Sequence, residues 1–300
     1  MELIDSFSDH YGNRIFRVFR SSAAARKNQL RQHRHTEFEI SLILSGSGLY
    51  RTETGNYDIR AGDVFLYSTN EFHCISDITP DAGQDCMELL NLQFSPALLA
   101  ADGITDADPP LGVFFNRSEA FRNRLTRENP HTAEIRELIL SVQTECVAKE
   151  PCYRTAVRDL IGRILTTVTR FYGYTNRDAR TRPSLRYDEN LRVAVAYIEE
   201  HLCEPLTLDG IIAAAHMTKT HFLAVFKSFY GMTTWDYINI RRIDRAMSLL
   251  AASNRTVLDI AVSCGYNNTA NFNRIFRKVT GITPKEYRSS KKSTSDSSPS

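Results

Sequence analysis

The sequence contains no long apolar segment, and this absence excludes a membrane-spanning helix. None of its 300 residues belongs to an apolar run that approaches the length of such a helix, about 18 or more residues. The start of the chain also lacks the basic and apolar segments of a secretion signal. We therefore expect a cytoplasmic protein without a membrane partner.

Paired cysteines and a strong charge excess are also missing. The six cysteines include no Cys-x-x-Cys pair, and scattered cysteines in a reducing compartment usually act as small apolar residues. We therefore assign them no zinc or redox function. The formal net charge is only +2, which by itself indicates no class of partner. The composition, 42% hydrophobic and 24% charged, is that of a globular protein, and the length predicts two domains.

The C-terminal third contains one pattern written twice. The second copy lies 50 positions after the first, and the matched pairs are Asp209 and Asp259, Phe222 and Phe272, Phe226 and Phe276, Gly231 and Gly281, and Tyr237 and Tyr287. Each copy predicts a short helix, a tight turn and a second helix that ends at the glycine. This is the shape of a DNA-binding helix-turn-helix. Residues 234–252 predict a connecting helix, which would hold two recognition helices at about the 34–36 Å of one DNA turn.

The second copy carries a specific family resemblance. Its segment 265–288 reads Gly-Tyr-Asn-Asn-Thr-Ala-Asn-Phe-Asn-Arg-Ile-Phe-Arg-Lys-Val-Thr-Gly-Ile-Thr-Pro-Lys-Glu-Tyr-Arg and resembles the signature of the AraC/XylS family of bacterial transcription regulators. The resemblance covers residues 189–288 with both helix-turn-helix units. It implies a regulator that binds double-stranded promoter DNA; we expect an activator, with RNA polymerase as a further candidate partner. The 12 Lys and Arg against 9 Asp and Glu in this segment permit DNA binding without establishing it.

The candidate DNA contacts are the residues that point away from the buried phenylalanines of each second helix. They are Lys219, Thr220, Leu223, Ala224 and Lys227 in the first copy and Asn268, Thr269, Ala270, Asn273, Arg274 and Arg277 in the second. Asn268 is also the predicted N-cap of its helix, as Thr218 is in the first copy.

These candidates are expected to play different parts. Arg274 can make a bidentate pair with guanine. Ala224 stands at the matching position, where the family usually carries arginine, so we expect weaker base reading by the first copy. Lys227, Arg277 and Lys278 are expected to contact phosphates. Any one of these charges can equally be a solvated surface residue.

The N-terminal half predicts a different architecture. From about Arg14 to Phe94 the apolar residues alternate with a period of two, and several short strands with turns between them favour a barrel or jelly roll. The predicted strands are Phe38–Leu44, Leu49–Thr52, Tyr57–Arg60, Asp63–Tyr67 and Met87–Phe94. Two apolar stripes, over 135–146 and 157–168, then predict a pair of helices.

Four residues of this half are candidate ligand contacts. His33, His35 and Glu39, with His73 further along, resemble the two motifs of the cupin barrel, which AraC-type regulators commonly use as a sensing domain. Cupin enzymes use such residues as metal ligands, so a metal-free ligand pocket, a divalent metal site and a structural role remain as alternatives. We favour the metal-free pocket, with a carbohydrate as the candidate effector.

Two further expectations follow from the cupin resemblance. Ser68 and Asn70 replace the usual proline and glycine of the second motif, which puts the turn before His73 in doubt. We expect no catalytic residue, no cofactor and no enzymatic activity, because no second catalytic constellation is present. A cupin metalloenzyme with an appended DNA-binding domain is the alternative function.

The predicted fold class is α+β. We expect a cupin-like barrel with two flanking helices over residues 1–172, a polar linker over 173–188, the double helix-turn-helix domain over 189–288, and a disordered tail over 289–300. The helix pair beside the barrel has spare apolar surface and is expected to pair two subunits of a homodimer. The alternative is that both stripes only pack on the barrel.

Overall fold

The computed structural model describes residues 1–25, 34–99, 111–176 and 189–295, with side chains up to residue 289. These residues form two compact units; of the described residues, 1–25, 37–71, 75–99 and 111–176 belong to the first, and 34–36, 72–74 and 189–295 belong to the second. The first unit is rich in strands and the second is helical. The α+β fold class predicted from the sequence is therefore confirmed.

The described strands form two sheets. They are β1 (Glu2–Ser8), β2 (Arg14–Ala24), β3 (Phe38–Ser45), β4 (Ser47–Thr52), β5 (Gly55–Arg60), β6 (Val64–Tyr67), β7 (His73–Thr79) and β8 (Cys86–Phe94). The larger sheet has the order β1-β2-β8-β3-β6, and the smaller has the order β5-β4-β7.

The sequence analysis named no separate strand for β1, β2 or β7, and the backbone of β1 and β7 is irregular. The pairing of β1 with β2 shifts register between Leu3 and Asp5 and again between Phe7 and Ser8. In β7, Asp77 has a φ of 52°, which leaves the extended conformation. Irregularities of this kind weaken a period-two pattern.

The two faces of the larger sheet are covered by different elements. On one face, Phe38 and Ile40 of β3 share an apolar core with Ile139 and Ile161. Those two isoleucines belong to α2 (His131–Ala148) and α3 (Tyr153–Phe171), which follow the short helix α1 (Gly112–Phe115). On the other face, Ile43 packs in a second cluster with side chains of the smaller sheet. The space between the two sheets is therefore apolar around Ile43. Neighbouring residues of β3 and β8 line its other end.

The second unit has the two predicted helix-turn-helix motifs. Its helices are α4 (Glu189–Glu200), α5 (Leu208–Ala214), α6 (Lys219–Tyr230), α7 (Thr234–Ala252), α8 (Val257–Ser263), α9 (Thr269–Thr280) and α10 (Pro284–Ser295). The motifs are α5–α6 and α8–α9, with α7 between them. Gly231 and Gly281 end α6 and α9 with φ values of 68° and 78°, a left-handed conformation that glycine adopts without strain. No described helix combines the length and the apolar character that crossing a membrane requires.

The predicted disordered tail needs a correction. The structure continues α10 to Ser295, well beyond Ser289, and residues 296–300 lie outside the described part. The helix starts at a capping box, in which the Thr283 N–H donates to Glu286 Oε2 at 2.7 Å and the Glu286 N–H donates to Thr283 Oγ1 at 3.3 Å. No glycine or proline lies between Lys285 and Ser295 to end it.

Candidate effector pocket and DNA-reading surface

Three of the four predicted ligand contacts come together in the structure. His35 precedes β3, Glu39 lies on β3 and His73 begins β7; one side-chain ligand atom of each lies within 4.8 Å of the others. The two imidazole rings meet edge to face, with centroids 5.1 Å apart. All three residues are buried. His33 lies outside the described residues.

Glu39 belongs to a polar row that crosses four strands of the larger sheet. Arg17 lies opposite Gln93, Gln93 opposite Glu39, and Glu39 opposite Tyr67. Arg17 Nε donates to Gln93 Oε1, and Gln93 Nε2 donates to Glu39 Oε2. Directly opposite residues share a face of the sheet, so all four side chains lie on the face that meets the smaller sheet. We call Arg17, Glu39, Tyr67 and Gln93 the polar row.

A second polar group lies one step further along the same face. Ser41 Oγ is 2.8 Å from Glu39 Oε1 and 2.7 Å from Asn91 Oδ1, and its single proton serves one of them at a time. Asn91 Nδ2 donates to Ser21 Oγ at 3.1 Å. Ser41 and Asn91 therefore continue the polar surface from Glu39 toward β2.

The sequence analysis missed these additional polar residues, although a signal was present. In β3 and β8, polar residues occupy alternate positions of otherwise apolar strands: Glu39 and Ser41, then Asn91 and Gln93. Polar residues at a spacing of two within buried strands indicate a polar strip on one face. Because Arg17 and Tyr67 reach the strip through pairing register alone, no local pattern marks them.

Tyr67 adds a neutral hydroxyl to the polar row. Burial, and after it the neighbouring Tyr50, raises the pKa of Tyr67 well above its ordinary value. The charges of Glu39 and Glu71 act in the same direction, because they disfavour a nearby phenolate. Tyr67 therefore keeps its proton at neutral pH and can donate a hydrogen bond.

The turn before His73 forms despite the two departures from the cupin motif. Asn70 has a φ of 57°, the left-handed conformation that glycine usually supplies and that asparagine tolerates. The Ser68 N–H donates to Glu71 Oε2 at 2.7 Å, which closes the turn through a side chain. Asn123 Nδ2 donates to the other oxygen, Oε1, of the same carboxylate at 2.6 Å. The sequence-based doubt about this turn is thereby resolved.

The chemistry of this site suits a polar ligand, and its donor set also fits a divalent metal. The polar row and its neighbours offer amide, hydroxyl, guanidinium and carboxylate groups on one surface, which can donate to and accept from hydroxyl groups. Two imidazoles and a carboxylate at this separation also form a ligand set for zinc, iron or manganese. The contacts of Gln93 and Ser41 with Glu39 resemble those that orient a metal-ligating carboxylate.

The predicted DNA contacts lie on the outer faces of α6 and α9. Ten of them are exposed, and Thr269 at the start of α9 is half-buried; the exposed residues are Lys219, Thr220, Leu223, Ala224, Lys227, Asn268, Ala270, Asn273, Arg274 and Arg277. On the inner faces, Phe222 and Phe272 are fully buried. The helical spacing used in the sequence analysis therefore assigned the outer faces correctly.

Local contacts modify the expected parts of several residues. Asn268 caps α9, with its side chain accepting from the Asn271 N–H at 2.7 Å, whereas Thr218 makes no such bond to α6. The Thr218 cap predicted from the sequence therefore lacks its hydrogen bond. Arg274 Nη2 donates to Asn271 Oδ1 at 2.9 Å, so Asn271, an exposed residue that the sequence analysis missed, orients the candidate base-reading arginine. Lys278 pairs with Asp236 at 3.2 Å, which engages this candidate phosphate contact within the protein.

A buried arginine of α7 connects the segment between α4 and α5 with the turn of the second motif. Arg242 of α7 donates through Nε to the Leu202 carbonyl and through Nη2 to the Glu204 carbonyl, both at 2.8 Å. Its guanidinium lies 5.6 Å from the ring centroid of Tyr266, in the turn of the second motif. Burial lowers the pKa of Arg242 from its ordinary value, yet arginine stays charged at neutral pH. A Cβ on Gly265 would meet this guanidinium at 2.8 Å, so the turn has no room for a side chain.

Two family models match the chain, and together they span both units. An AraC-like ligand binding domain matches residues 16–147, and a helix-turn-helix domain matches residues 211–290. The chain is 24% identical over 260 residues to the HTH-type transcriptional activator RhaR of Yersinia pseudotuberculosis serotype O:3 (strain YPIII), covering 86% of this chain and 84% of that relative. It is 30% identical over 92 residues to the probable transcriptional regulator LumQ of Photobacterium leiognathi, covering 31% of this chain and 37% of that relative.

Solved structures show the same fold at low sequence identity. ToxT from Vibrio cholerae aligns with a TM-score of 0.53 and 14% identity, over 91% of this chain and 98% of that one. A ToxT structure with an unsaturated fatty acid bound aligns with a TM-score of 0.50 and 15% identity, over 90% and 94%. With a matched ligand-binding domain, a matched helix-turn-helix domain and an activator as a relative along most of its length, this chain belongs to the AraC family of small-molecule-responsive transcription regulators.

Proposed function

We propose that the effector is a small neutral molecule with several hydroxyl groups, of the carbohydrate class, and that it binds along the polar row beside His35 and His73. The observation that carries this proposal is the row of donors and acceptors on one face of the sheet, which runs from the half-buried Arg17 to the buried Gln93, Glu39 and Tyr67. A ligand with many hydroxyl groups can pair with each of these groups in turn. A long hydrocarbon chain has no group that could form a hydrogen bond with any of them.

A thermal-shift screen of the full chain tests the ligand class. The panel contains neutral monosaccharides, sugar acids and, as the competing class suggested by the fatty-acid-bound ToxT structure, unsaturated fatty acids. A ligand present at 100 times its Kd stabilises the folded state by about 2.7 kcal/mol. We expect such a shift with a neutral sugar in the wild type and in Glu137→Gln, an exposed change on α2, but not in Glu39→Gln. A shift with fatty acids alone would refute the carbohydrate proposal.

The same cluster supports a second candidate, a metal-dependent site and with it the metalloenzyme alternative. His35, Glu39 and His73 would hold the ion, which would supply Lewis-acid chemistry to a bound ligand. Metal analysis of the purified full chain separates the two candidates. One metal ion per chain, lost on replacing His35 or Glu39 by alanine, would establish the metal site, and turnover of a substrate would then establish the enzyme. We propose the metal-free regulator, for which substoichiometric metal and an effector response that survives chelator are expected.

On DNA, we propose that the second motif reads bases and that the first mainly positions the protein. Arg274, held by Asn271, supports base reading by α9, whereas the matching Ala224 of α6 has no hydrogen-bonding group. We further propose that the protein activates transcription and contacts RNA polymerase, because RhaR, the relative that matches most of this chain, is a transcriptional activator. Transcription from a promoter selected by the full chain, measured with and without the protein, tests the direction of regulation.

We also propose a homodimer formed through the outer surface of α2. The inward stripes of α2 and α3 pack in the apolar core of the first unit, as the alternative reading of the sequence held. Leu140 and Val147 of α2 nevertheless remain 36% and 67% exposed. Light scattering of the full chain should give twice the monomer mass, and the double variant Leu140→Lys with Val147→Lys should give the monomer. A wild-type monomer at all concentrations would remove this proposal.

A further inference from the structure

The turn that leads into His73 is held by one arginine from a distant segment. Arg117 Nη2 lies 2.7 Å from Glu71 Oε2, in a pair whose side chains are 23% and 4% exposed. This is the same carboxylate oxygen that accepts from the Ser68 N–H, so Arg117 and the turn share one acceptor. The Arg117 guanidinium also covers the Phe121 ring, 3.8 Å from its centroid. A charge-assisted bond of this kind is among the stronger contacts that a turn can have.

Arg117 itself belongs to a short strand pairing at the end of the first unit. Its backbone forms an antiparallel bridge with Thr175. On one side the Ser118 N–H donates to the Tyr174 carbonyl at 2.9 Å, and on the other the Asn176 N–H donates to the Asn116 carbonyl at 2.7 Å. We call this the 116–118/174–176 pairing. Residue 176 is the last described residue before the segment that leads to the DNA-binding unit.

A continuous series of contacts therefore runs from the effector pocket to the end of the first unit. It passes from His73 through the turn to Glu71, across the ion pair to Arg117, and along the backbone of Arg117 to Thr175. Each step is a hydrogen bond, an ion pair or a direct backbone connection. The carboxylate of Glu71 is the centre of this series, because it accepts from the Ser68 N–H, from Arg117 and from Asn123.

We infer that Glu71 and Arg117 are positioning residues that couple the effector pocket to the 116–118/174–176 pairing. This regulatory function rests on the proposed binding of an effector beside His73. Coupling between two sites is reciprocal, so a change at the pairing must also be felt at the turn. The ion pair is the step that a substitution can interrupt while both ends stay in place.

Amide hydrogen exchange of the full chain, without any ligand, tests the coupling directly. In Glu71→Gln the exchange of the Ser118 and Asn176 amides should accelerate about tenfold or more, because the charge that anchors Arg117 is lost. Arg117→Lys, with Glu71 intact, keeps a positive charge beside the carboxylate and should retain most of the protection of both amides. Arg122→Met is the matched control, since Arg122 is exposed and donates to the carbonyls of Glu119 and Phe121 in its own segment. Arg122→Met should leave the exchange rates of the Ser118 and Asn176 amides unchanged.

The reciprocal experiment starts from the other end. Ser118→Ala removes the bond from Ser118 Oγ to the Gly173 carbonyl, 2.7 Å long, and should accelerate exchange of the Ser68 amide in the turn. When Ser118→Ala is added to Arg117→Met, the Ser68 amide should exchange at the same rate as in the Arg117→Met single variant. Unchanged exchange of Ser118 and Asn176 in folded Glu71→Gln, or a Ser118→Ala effect that persists without Arg117, would overturn the inference.

The design separates this inference from the proposed effector site. If Glu71→Gln fails to fold by circular dichroism, Arg117→Met answers the same question, because it interrupts the pair from its more exposed side. Since no ligand is present, the exchange rates do not depend on which molecule the pocket binds. A failed ligand screen with intact coupling rejects the effector class alone, and a positive screen without coupling rejects the route alone.

Discussion

The two helix-turn-helix motifs share a framework and differ on their surfaces. In both, the phenylalanines of the second helix are fully buried, and a glycine in the left-handed conformation ends that helix. The outer faces have diverged: α9 carries Asn271 and Arg274 where α6 carries His221 and Ala224. A helix must bury its apolar stripe to be stable, whereas an outer face is constrained only by what it binds. The repeat therefore preserves what folding needs, and the functions of the two copies can separate.

The largest expected effect concerns the shared framework. Phe272→Ala and Phe222→Ala should each cost about 3–5 kcal/mol of unfolding free energy, because each removes a fully buried aromatic ring. Trp235, the single tryptophan, lies on α7 and reports unfolding of this unit by fluorescence during urea denaturation. Leu223→Ala, at a position 39% exposed, is the control and should change stability by about 0.5 kcal/mol or less. Markedly unequal losses of unfolding free energy for Phe222→Ala and Phe272→Ala would contradict a common framework.

The second effect concerns base reading. Arg274→Ala should lose about 1–3 kcal/mol of preference for DNA selected by the wild-type protein over random DNA. The matched change Ala224→Arg gives the first motif a guanidinium and should sharpen the preference wherever guanine faces α6. Fluorescence anisotropy on both DNA types measures the difference. Equal losses of Arg274→Ala on selected and random DNA would show that this arginine contacts only the backbone.

The third expected effect is a difference in stability between variants at the N-caps of α9 and α6. Asn268→Ala should destabilise the unit by about 1 kcal/mol, because the bond to the Asn271 N–H is lost. Thr218→Ala should cost less than half as much, since Thr218 makes no capping bond to α6. Urea denaturation monitored at Trp235 compares the two variants. A larger loss for Thr218→Ala would contradict the observed capping.

The smallest expected effect is on contacts with the DNA phosphates, which do not depend on the base sequence. Lys227 and Arg277 occupy matching exposed positions of the two motifs. Replacing either by alanine should reduce the slope of log affinity against log salt concentration by about one unit. Lys278→Ala should change the slope less, because Lys278 pairs with Asp236. Affinities measured over a salt series give the three slopes. A full unit lost for Lys278→Ala would show that DNA displaces this pair.

Much of the architecture could be predicted because its signals are local. The repeat, the helical spacing of apolar residues and the turn glycines indicated both motifs, and the predicted connecting helix agrees with α7 from Thr234 to Ala252. The resemblance of His35, Glu39 and His73 to the cupin motifs likewise implied a cluster, and the structure brings these three residues together. The irregular strands β1 and β7 were missed because irregular backbone weakens a period of two, and the continuation of α10 past Ser289 was missed because a polar composition does not by itself end a capped helix.

The sequence by itself determined the family, the two-unit organisation and the residues on each helix face. Only the tertiary structure decided which polar residues form the polar row beside His35 and His73, that Arg242 connects the α4–α5 segment with the second motif, and that Arg117 holds the turn before His73. Arg17 and Gln93 meet although 76 positions separate them, because strand register places them opposite each other. Helical periodicity acts over a few residues and can be read along the chain, whereas register and buried hydrogen bonds depend on pairing between distant segments.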